Sequence, residues 1–177
     1  MFRRLVIKGS SGAGKSTLAR ALSCQLELPH IELDALHHGA AWSAASAQEL
    51  SARVLAALDD ERGWVVDGNY DSKLGPLVLD RADLVVWLDL PLRTKLARLA
   101  RRSARRWLTG QELWNGNRET LSGLLWGTDA LFAWAVRTHY FTRREWPRQL
   151  AGRPLVRLRA PSDVDAWLAT IGAQSRA

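Results

Sequence analysis

The chain has 177 residues, 47% of them hydrophobic, which is enough for one folded domain with a substantial core. Its formal charge is +7, and 21 of its 25 basic residues are arginines, whose planar guanidinium groups match phosphate oxygens and favour nucleotides or nucleic acid as partners. Residues 121–141 include Asp129, Arg137 and His139 and are too polar for a membrane span, and the N-terminus lacks the apolar core of a secretory signal, so we expect a cytoplasmic protein.

Short apolar runs alternate with longer segments of helical periodicity, which predicts a parallel sheet with crossover helices. The predicted strands are residues 5–8, 30–33, 64–67, 84–88 and 155–158, and the predicted helices are residues 15–26, 47–58, 92–107, 120–141 and 163–171. Ser162 is the predicted cap of the last helix, and Cys24, the single cysteine, is interpreted as a packed small residue of the first. Segments 34–45 and 108–119 fit neither pattern and are predicted to be functional loops.

A glycine-rich stretch, GSSGAGKS at residues 9–16, stands between the first predicted strand and the first predicted helix. It satisfies the phosphate-loop pattern Gly-x-x-x-x-Gly-Lys-Ser in full. In such a loop the backbone amides surround an anion, the lysine reaches the outer phosphates and the serine hydroxyl ligates Mg²⁺. We therefore expect ATP to bind at the loop and the first helical turn. The residues concerned are Gly9, Ser11, Gly12, Ala13, Gly14, Lys15, Ser16 and Thr17.

A carboxylate at the end of a buried strand would complete the Mg²⁺ site begun by Ser16, and this pattern occurs twice. Asp67 is followed by Gly-Asn-Tyr, a turn that exposes the strand end. Asp89 is followed by Leu-Pro, which is typical of a residue that caps the next helix. We predict that Asp67 is the magnesium-site carboxylate, with Asp89 and Asp34 as the alternatives.

Several stretches together resemble the P-loop group known as topology modulation proteins, which is similar to adenylate kinase, shikimate kinase and gluconate kinase. They are GSSGAGKS (9–16), ELDALH (32–37), WVVDGNY (64–70), RADLVVWLD (81–89) and ELWNGNRE (112–119). The match covers nearly the whole chain, and Asn-Gly-Asn-Arg is its most specific part. The resemblance implies an α/β P-loop NTPase fold with five parallel strands in the order 2-3-1-4-5, helices on both faces, ATP at the phosphate loop and a lid. It also favours Asp67, because in adenylate-kinase-like enzymes the third strand lies beside the first.

Asp34 follows the second predicted strand, where related small-molecule kinases hold the acceptor. There it would orient or deprotonate an acceptor hydroxyl, and His37 or His38 would hydrogen-bond it. The alternatives are a loop-capping aspartate beside surface histidines and, less favoured, a Zn²⁺ site. The group tends to carry an aromatic residue where this chain has His38, and this departure predicts an altered acceptor pocket.

An arginine stripe lies on one face of the predicted helix 92–107 and leads into segment 108–119. Its members are Arg98, Arg101, Arg102, Arg105 and Arg106, and the opposite face carries Leu92, Leu96, Leu99, Ala100, Ser103 and Trp107. The stripe resembles the lid base of nucleoside monophosphate kinases, where arginines neutralise the transferred phosphoryl group. The alternative is a solvated basic face. We predict catalytic roles for Arg102, Arg105 and, in the following segment, Arg118.

These observations predict one P-loop kinase-like domain over residues 1–177, with an acceptor segment at about 34–60 and a lid at about 102–120. The favoured function is transfer of the ATP γ-phosphoryl group, with Mg²⁺, to a small molecule or nucleotide that the motifs leave open, as they do the oligomeric state. One alternative is an ATP hydrolase or ATP-operated switch. Another is an ATP-regulated nucleic-acid-binding regulator, which the charge favours but no nucleic-acid-binding motif supports.

Overall fold

The computed structural model describes residues 2–110, 112, 115 and 131–174. The strands are β1 (Arg4–Lys8), β2 (His30–Glu32), β3 (Trp64–Asp67), β4 (Leu84–Leu88) and β5 (Leu155–Leu158). The α-helices described are α1 (Lys15–Leu26), α2 (Leu33–His37), α3 (Ala47–Leu58), α4 (Asp71–Leu74), α5 (Leu92–Thr109), α6 (Leu131–Gln149) and α7 (Pro161–Gln174), and there are 3-10 turns at Ala40–Trp42 and Leu79–Arg81.

The five strands form one parallel sheet in the order β2-β3-β1-β4-β5, as predicted. Alternate strand residues enter two separate cores, because successive side chains of a strand point to opposite faces. On one face, Val6 and Trp87 pack with residues of α3 and with Trp146 of α6. On the other face, Ile7 and Leu88 pack with residues of α1 and α7. The prediction of helices on both faces is therefore confirmed, and it explains why the strands are continuous apolar runs.

The carboxyl ends of the strands meet at one edge of the sheet because all the strands run in the same direction. Ile7 of β1 and Glu32 of β2 both stand opposite Asp67 of β3, one on each side of it. The chain leaves β1 directly into the glycine-rich loop, so this loop emerges at the middle of the edge. Functional groups at the ends of β2 and β3 therefore lie on one side of it.

The segment predicted as a loop at 34–45 contains regular structure, so that prediction is wrong in part. Strand β2 ends at Glu32, and α2 begins at the next residue. Leu33 and His37 lie one helical turn apart and are both buried, which explains why this short helix packs onto the sheet. A 3-10 turn at Ala40–Trp42 follows.

Helix α5 continues past the predicted end at residue 107, and Gly110 terminates it in the left-handed conformation, at φ 58°. Its buried positions are Lys95, Leu99 and Ser103. The predicted apolar face is therefore wrong in detail, since Trp107 is 54% exposed and Ala100 is also exposed. The only residues of the predicted loop 108–119 that the structure describes are 108–110, 112 and 115.

The last two helices have other bounds than predicted. Helix α6 extends to Gln149 because Thr142 and Trp146 continue its buried stripe, and residues 120–130 of the predicted helix lie outside the described part of the chain. Helix α7 begins at Pro161, a residue favoured at a first helical position. The carboxylate of Asp163 accepts from the amide of Ala160 at 2.9 Å, so Asp163 caps this helix instead of Ser162. In the described chain, none of the helices has the length and apolarity to cross a membrane.

Cys24 is exposed, which contradicts its interpretation as a packed residue. It lies on the outer side of α1, whose buried positions are Leu18, Ala19 and Leu22. The spacing of these three residues fills the inner face of the helix and leaves position 24 in solvent.

We expect Gly63→Ala to lower the free energy of unfolding by about 3 kcal/mol. Gly63 has φ +105°, and an added Cβ would lie 2.2 Å from the carbonyl oxygen of Arg3, where β1 and β3 begin to pair. Gly110→Ala is the matched control: φ is +58° and ψ is 25°, in the left-handed helical region, and the added Cβ would meet open space, so backbone strain alone should cost about 1 kcal/mol. Urea denaturation measures both variants, and equal losses would contradict this account.

Candidate active site

The glycine-rich loop 9–16 adopts a conformation that its glycines make possible. Gly12 and Gly14 have φ +78° and +95°, in the region that side chains rarely enter. A Cβ on Gly12 would lie 2.4 Å from the carbonyl oxygen of Lys95, so the loop packs directly against the start of α5. The amide of Ala13 donates to the Ser10 carbonyl at 3.1 Å, which closes the turn before α1. The loop thereby ends in the first amides of a helix, an arrangement that suits an anion.

Lys15, the first residue of α1, is half-buried at the end of this loop. Burial lowers the pKa of Lys15, the carboxylates of Asp34 and Asp67 act to raise it, and the cation of Arg102 acts to lower it further. Three of the predicted site residues therefore lie within electrostatic reach of Lys15. The phosphate loop, the segment that contains Asp34 and the arginine stripe therefore all contribute charge around this side chain.

Ser16 has a carboxylate partner that was not predicted from the sequence. Its hydroxyl donates to Oε1 of Glu32 at 3.2 Å. Glu32 is the last residue of β2 and stands opposite Asp67 in the ladder between β2 and β3. Ser16, Glu32 and Asp67 thus bring side-chain oxygen atoms to one corner of the loop. The signal that could have identified Glu32 is its position, since it ends a strand of the parallel sheet as Asp67 does.

The two strand-end aspartates have different surroundings. Asp67 is 2% exposed, and its Oδ1 lies 3.1 Å from Nε2 of His30. Asp89 accepts from Nε of Arg143 at 2.7 Å and from Nη2 of Arg157 at 2.7 Å, so both of its oxygens are engaged by arginines. The predicted capping role of Asp89 is wrong, because no side chain caps α5. Asp89 instead joins the end of β4 to α6 and β5.

The phenol of Tyr70 forms a hydrogen bond with Asp34, a residue of α2. Tyr70 donates its hydroxyl to Oδ1 of Asp34 at 2.7 Å, and the same oxygen of Tyr70 lies 3.4 Å from Nε2 of His38. Burial is the largest of the effects that raise the pKa of Tyr70, followed by the nearby Asp34 carboxylate. Tyr70 therefore stays protonated and orients the Asp34 carboxylate.

Three aromatic rings and a lysine lie around Asp34 in the predicted acceptor segment. The ring of His37 lies 4.7 Å from those of His38 and Tyr70, measured between centroids. Burial lowers the pKa of His37, and so do Lys73 and His38, which keeps the imidazole neutral. Lys73 donates to the Ala45 carbonyl at 2.8 Å and so braces the segment that follows α2. The rings of His37, His38 and Tyr70 thus pack together beside the Asp34 carboxylate.

Arg98, the first arginine of the stripe, contacts the phosphate loop. Nη1 of Arg98 donates to the Ala13 carbonyl at 3.2 Å. Arg105 is exposed, and Arg118 lies outside the described residues. Nδ2 of Asn115, a residue of the predicted lid, donates to the His38 carbonyl at 2.5 Å.

Two buried lysines were not predicted from the sequence. Lys8 is 1% exposed, forms an ion pair with Asp71 and lies 4.7 Å from the ring centroid of Trp146. Lys95 is 1% exposed and contacts Ser10 of the phosphate loop at 2.7 Å. No sequence signal marks either residue, because lysine is ordinarily exposed and its burial depends on which elements meet in the fold.

Comparison with protein-family profiles finds no match. A cytidylate kinase from Haloquadratum walsbyi is 32% identical to the chain over 126 residues, which is 61% of this chain and 62% of that protein. The matched region therefore spans less than two thirds of the relative's length.

Solved structures of kinases cover the chain almost completely. The deoxyadenosine kinase from M. mycoides with bound dATP has a TM-score of 0.58 at 14% identity, with 98% of this chain and 100% of that chain covered. The shikimate kinase from Bacteroides thetaiotaomicron has a TM-score of 0.58 at 14% identity, with 100% of both chains covered. The gluconokinase from Sinorhizobium meliloti has a TM-score of 0.55 at 19% identity, with 97% and 94% covered. The chain has the fold of the P-loop kinases.

Proposed function

We propose that the protein is a P-loop kinase that transfers the γ-phosphoryl group of ATP to a small-molecule or nucleotide acceptor, with Mg²⁺ at the phosphate loop. One observation carries the proposal: Ser16, next to Lys15 in the loop, hydrogen-bonds at 3.2 Å to Glu32, two residues before Asp34, and the Asp34 carboxylate acts on the charge of Lys15. Asp34 belongs to the predicted acceptor segment 34–60. The proposed donor and acceptor half-sites would thus lie side by side, which phosphoryl transfer requires. The kinases to which the chain is similar support the same interpretation.

The phosphate loop contributes binding and charge. Its backbone amides, with those at the start of α1, would hold the β- and γ-phosphate oxygens. Lys15 would neutralise the charge that develops on the outer phosphates. Burial lowers the pKa of this ammonium group, because it has lost part of its hydration, and it would therefore gain more from a phosphate than a fully exposed lysine.

Arginines from α5 and the lid segment 102–120 would stabilise the transferred group. Arg98 already contacts the loop through the Ala13 carbonyl, and Arg102 acts on the charge of Lys15. We propose that Arg98 orients the loop, and that Arg102, Arg105 and Arg118 include the residue that contacts the transferred phosphoryl group. Their fixed positive charges would act where negative charge spreads over the equatorial oxygens.

Asp34 would act on the acceptor. The hydrogen bond from Tyr70 occupies Oδ1 of Asp34 and fixes the plane of the carboxylate. The other oxygen would accept the proton of an acceptor hydroxyl as the phosphoryl group arrives. For a nucleotide acceptor, the rings of His37, His38 and Tyr70 would offer a surface beside the base.

The oxygen ligands at the corner of the loop suit a divalent cation. Ser16, Glu32 and Asp67 offer a hydroxyl and two carboxylates, which are the hard donors that Mg²⁺ prefers. When held by these residues, Mg²⁺ would supply positive charge that offsets the negative charge of the phosphates. Ser16 and Asp67 were expected in this role, and Glu32 is added to them because of its contact with Ser16.

The finer predictions concern specificity and context. The cytidylate kinase relative makes cytidylate one acceptor to test, and the structural neighbours add deoxyadenosine, gluconate and shikimate. The resemblance to the topology modulation group stays a prediction, as does a cytoplasmic location. The most specific stretch of that resemblance, around Arg118, lies mostly outside the described residues.

The proposal is tested by ADP release from Mg-ATP across a panel of nucleoside monophosphates, nucleosides and hydroxylated metabolites. We expect at least one acceptor to raise the rate about tenfold or more above the acceptor-free rate. Lys15→Met should lower kcat by about 10²-fold to 10³-fold, since it removes charge stabilisation of the transition state. Circular dichroism controls for folding. A fast rate that no acceptor changes would establish the hydrolase alternative instead.

The magnesium assignment predicts a contrast among three carboxylates. Asp67→Asn and Glu32→Gln should each raise the Mg²⁺ concentration for half-maximal activity by about tenfold, because each removes a negatively charged ligand. Asp89→Asn is the control: it should lower the free energy of unfolding by about 2 kcal/mol, because its ion pairs with arginines are weakened, and leave the Mg²⁺ requirement unchanged. Magnesium titrations decide, and a larger shift for Asp89→Asn would reverse the assignment.

Substitutions in the arginine stripe would distinguish a kinase from a nucleic-acid-binding regulator. In a kinase, alanine at one of Arg102, Arg105 or Arg118 should lower kcat by about 10³-fold while ATP binding changes little. Arg144→Gln is the control, since Arg144 is 84% exposed and pairs with its neighbour Glu145 at 3.4 Å. In a nucleic-acid binder, replacing each stripe arginine would weaken binding by a similar amount, and the salt slope would fall by about one unit for each arginine replaced. Kinetics and DNA titrations at several salt concentrations distinguish the two patterns.

A further inference from the structure

Lys95 connects three elements around the phosphate loop. It lies near the start of α5 and is 1% exposed. Its Nζ donates to the hydroxyl of Ser10 at 2.7 Å and lies 2.5 Å from Nδ1 of His139, on α6. Its main-chain carbonyl is the group that a Cβ on Gly12 would strike. One residue thus contacts the loop at two points and α6 at a third.

The buried ammonium group of Lys95 is hydrogen-bonded to a hydroxyl and an imidazole. Burial lowers the pKa of Lys95 to about 8, with Asp89 acting to raise it and Arg143 and Lys15 to lower it, so it is a cation at neutral pH. Burial and the nearby Lys95 lower the pKa of His139, so this imidazole is neutral and accepts the bond. In the described chain, Nζ therefore bonds to two neutral acceptors. A cation buried this way gains from an anion brought nearby.

We propose that Lys95 is a positioning residue for the nucleotide site, which holds the phosphate loop in its binding conformation and adds positive charge behind the phosphates. This inference rests on the proposed function in that the anion is a nucleoside triphosphate. The bond to Ser10 pins the first turn of the loop, and the bond to His139 fixes Lys95 from the opposite side. Lys95 belongs to α5 and His139 to α6, so these two bonds tie the loop to both helices.

A purely structural role would have a different signature. A lysine that only fills space could be replaced by methionine, which has similar length and no charge, with a change in stability alone. A positioning residue must also change the loop itself and its affinity for phosphates. The readouts are therefore hydrogen exchange of the amides of residues 9–16 without nucleotide, and the Kd for ATP and for inorganic pyrophosphate.

The matched control lies on the same face of the same helix. Ser103 is 3% exposed, and its hydroxyl has no hydrogen-bond partner in the described part of the chain. Ser103→Ala removes a buried polar group from α5 without touching the loop. It should leave loop exchange and ATP affinity unchanged.

For Lys95→Met we expect amide exchange in residues 9–16 to rise by about tenfold and the Kd for ATP and pyrophosphate to rise by about tenfold, with the acceptor KM unchanged. Ser10→Ala should reproduce part of both effects. Because the two residues act through one hydrogen bond, the double variant should lose less than the sum of the two single losses.

The inference is overturned if folded Lys95→Met has the exchange and the affinities of the wild type, or if the losses from Lys95→Met and Ser10→Ala add fully. Should Lys95→Met fail to fold, Ser10→Ala decides alone, and unchanged loop exchange in that variant would refute the role. The exchange experiment needs no nucleotide. A wild-type chain that binds no ATP would therefore refute the proposed function. The exchange data would still test whether Lys95 holds the loop.

Discussion

The central place of β1 in the sheet is the constraint on which the rest of the structure depends. Since β1 pairs with β3 on one side and β4 on the other, the loop that begins at Gly9 emerges between two sets of strand ends. Carboxylates, Glu32 and Asp67, lie on the side of β2 and β3. The cations that contact the loop, Lys95 and Arg98, belong to α5, the helix that follows β4. The carboxylates proposed for the metal and the cations proposed to position the loop therefore come from opposite sides of β1.

The sequence was sufficient for the parts of the fold that local signals specify. Each of the five strands was predicted within a residue of its observed bounds, because apolar runs buried on both faces are distinctive. The phosphate loop was equally clear from its glycines. Helix α2 was missed because five residues are too few to show helical periodicity, and the burial of Leu33 and His37 against the sheet is seen only in the folded chain. The end of α6 was missed for a similar reason, since Trp146 is recognisable as core only once Trp87 is opposite it.

The candidate site was predictable where residues follow strands and unpredictable where elements cross. Asp34 and Asp67 could be selected as strand-end carboxylates. The contact of Tyr70 with Asp34 joins the end of β3 to α2, and that of Glu32 with Ser16 joins β2 to α1, so both depend on distances that only the folded sheet defines. Lys95 is the extreme case: charge predicts exposure, yet close packing of the loop on α5 buries it. The residues hardest to predict from sequence are those that join elements.

The exposed thiol of Cys24 gives the protein a built-in attachment point. The sequence contains one cysteine, so a maleimide dye would label a single position without mutagenesis. Helix α1 runs without interruption from Lys15 to Leu26, which places the label about 14 Å along the helix axis from the lysine of the phosphate loop. A fluorophore there would lie outside the proposed nucleotide site, on the helix that begins at that site. Energy transfer from a labelled nucleotide would then measure occupancy in real time.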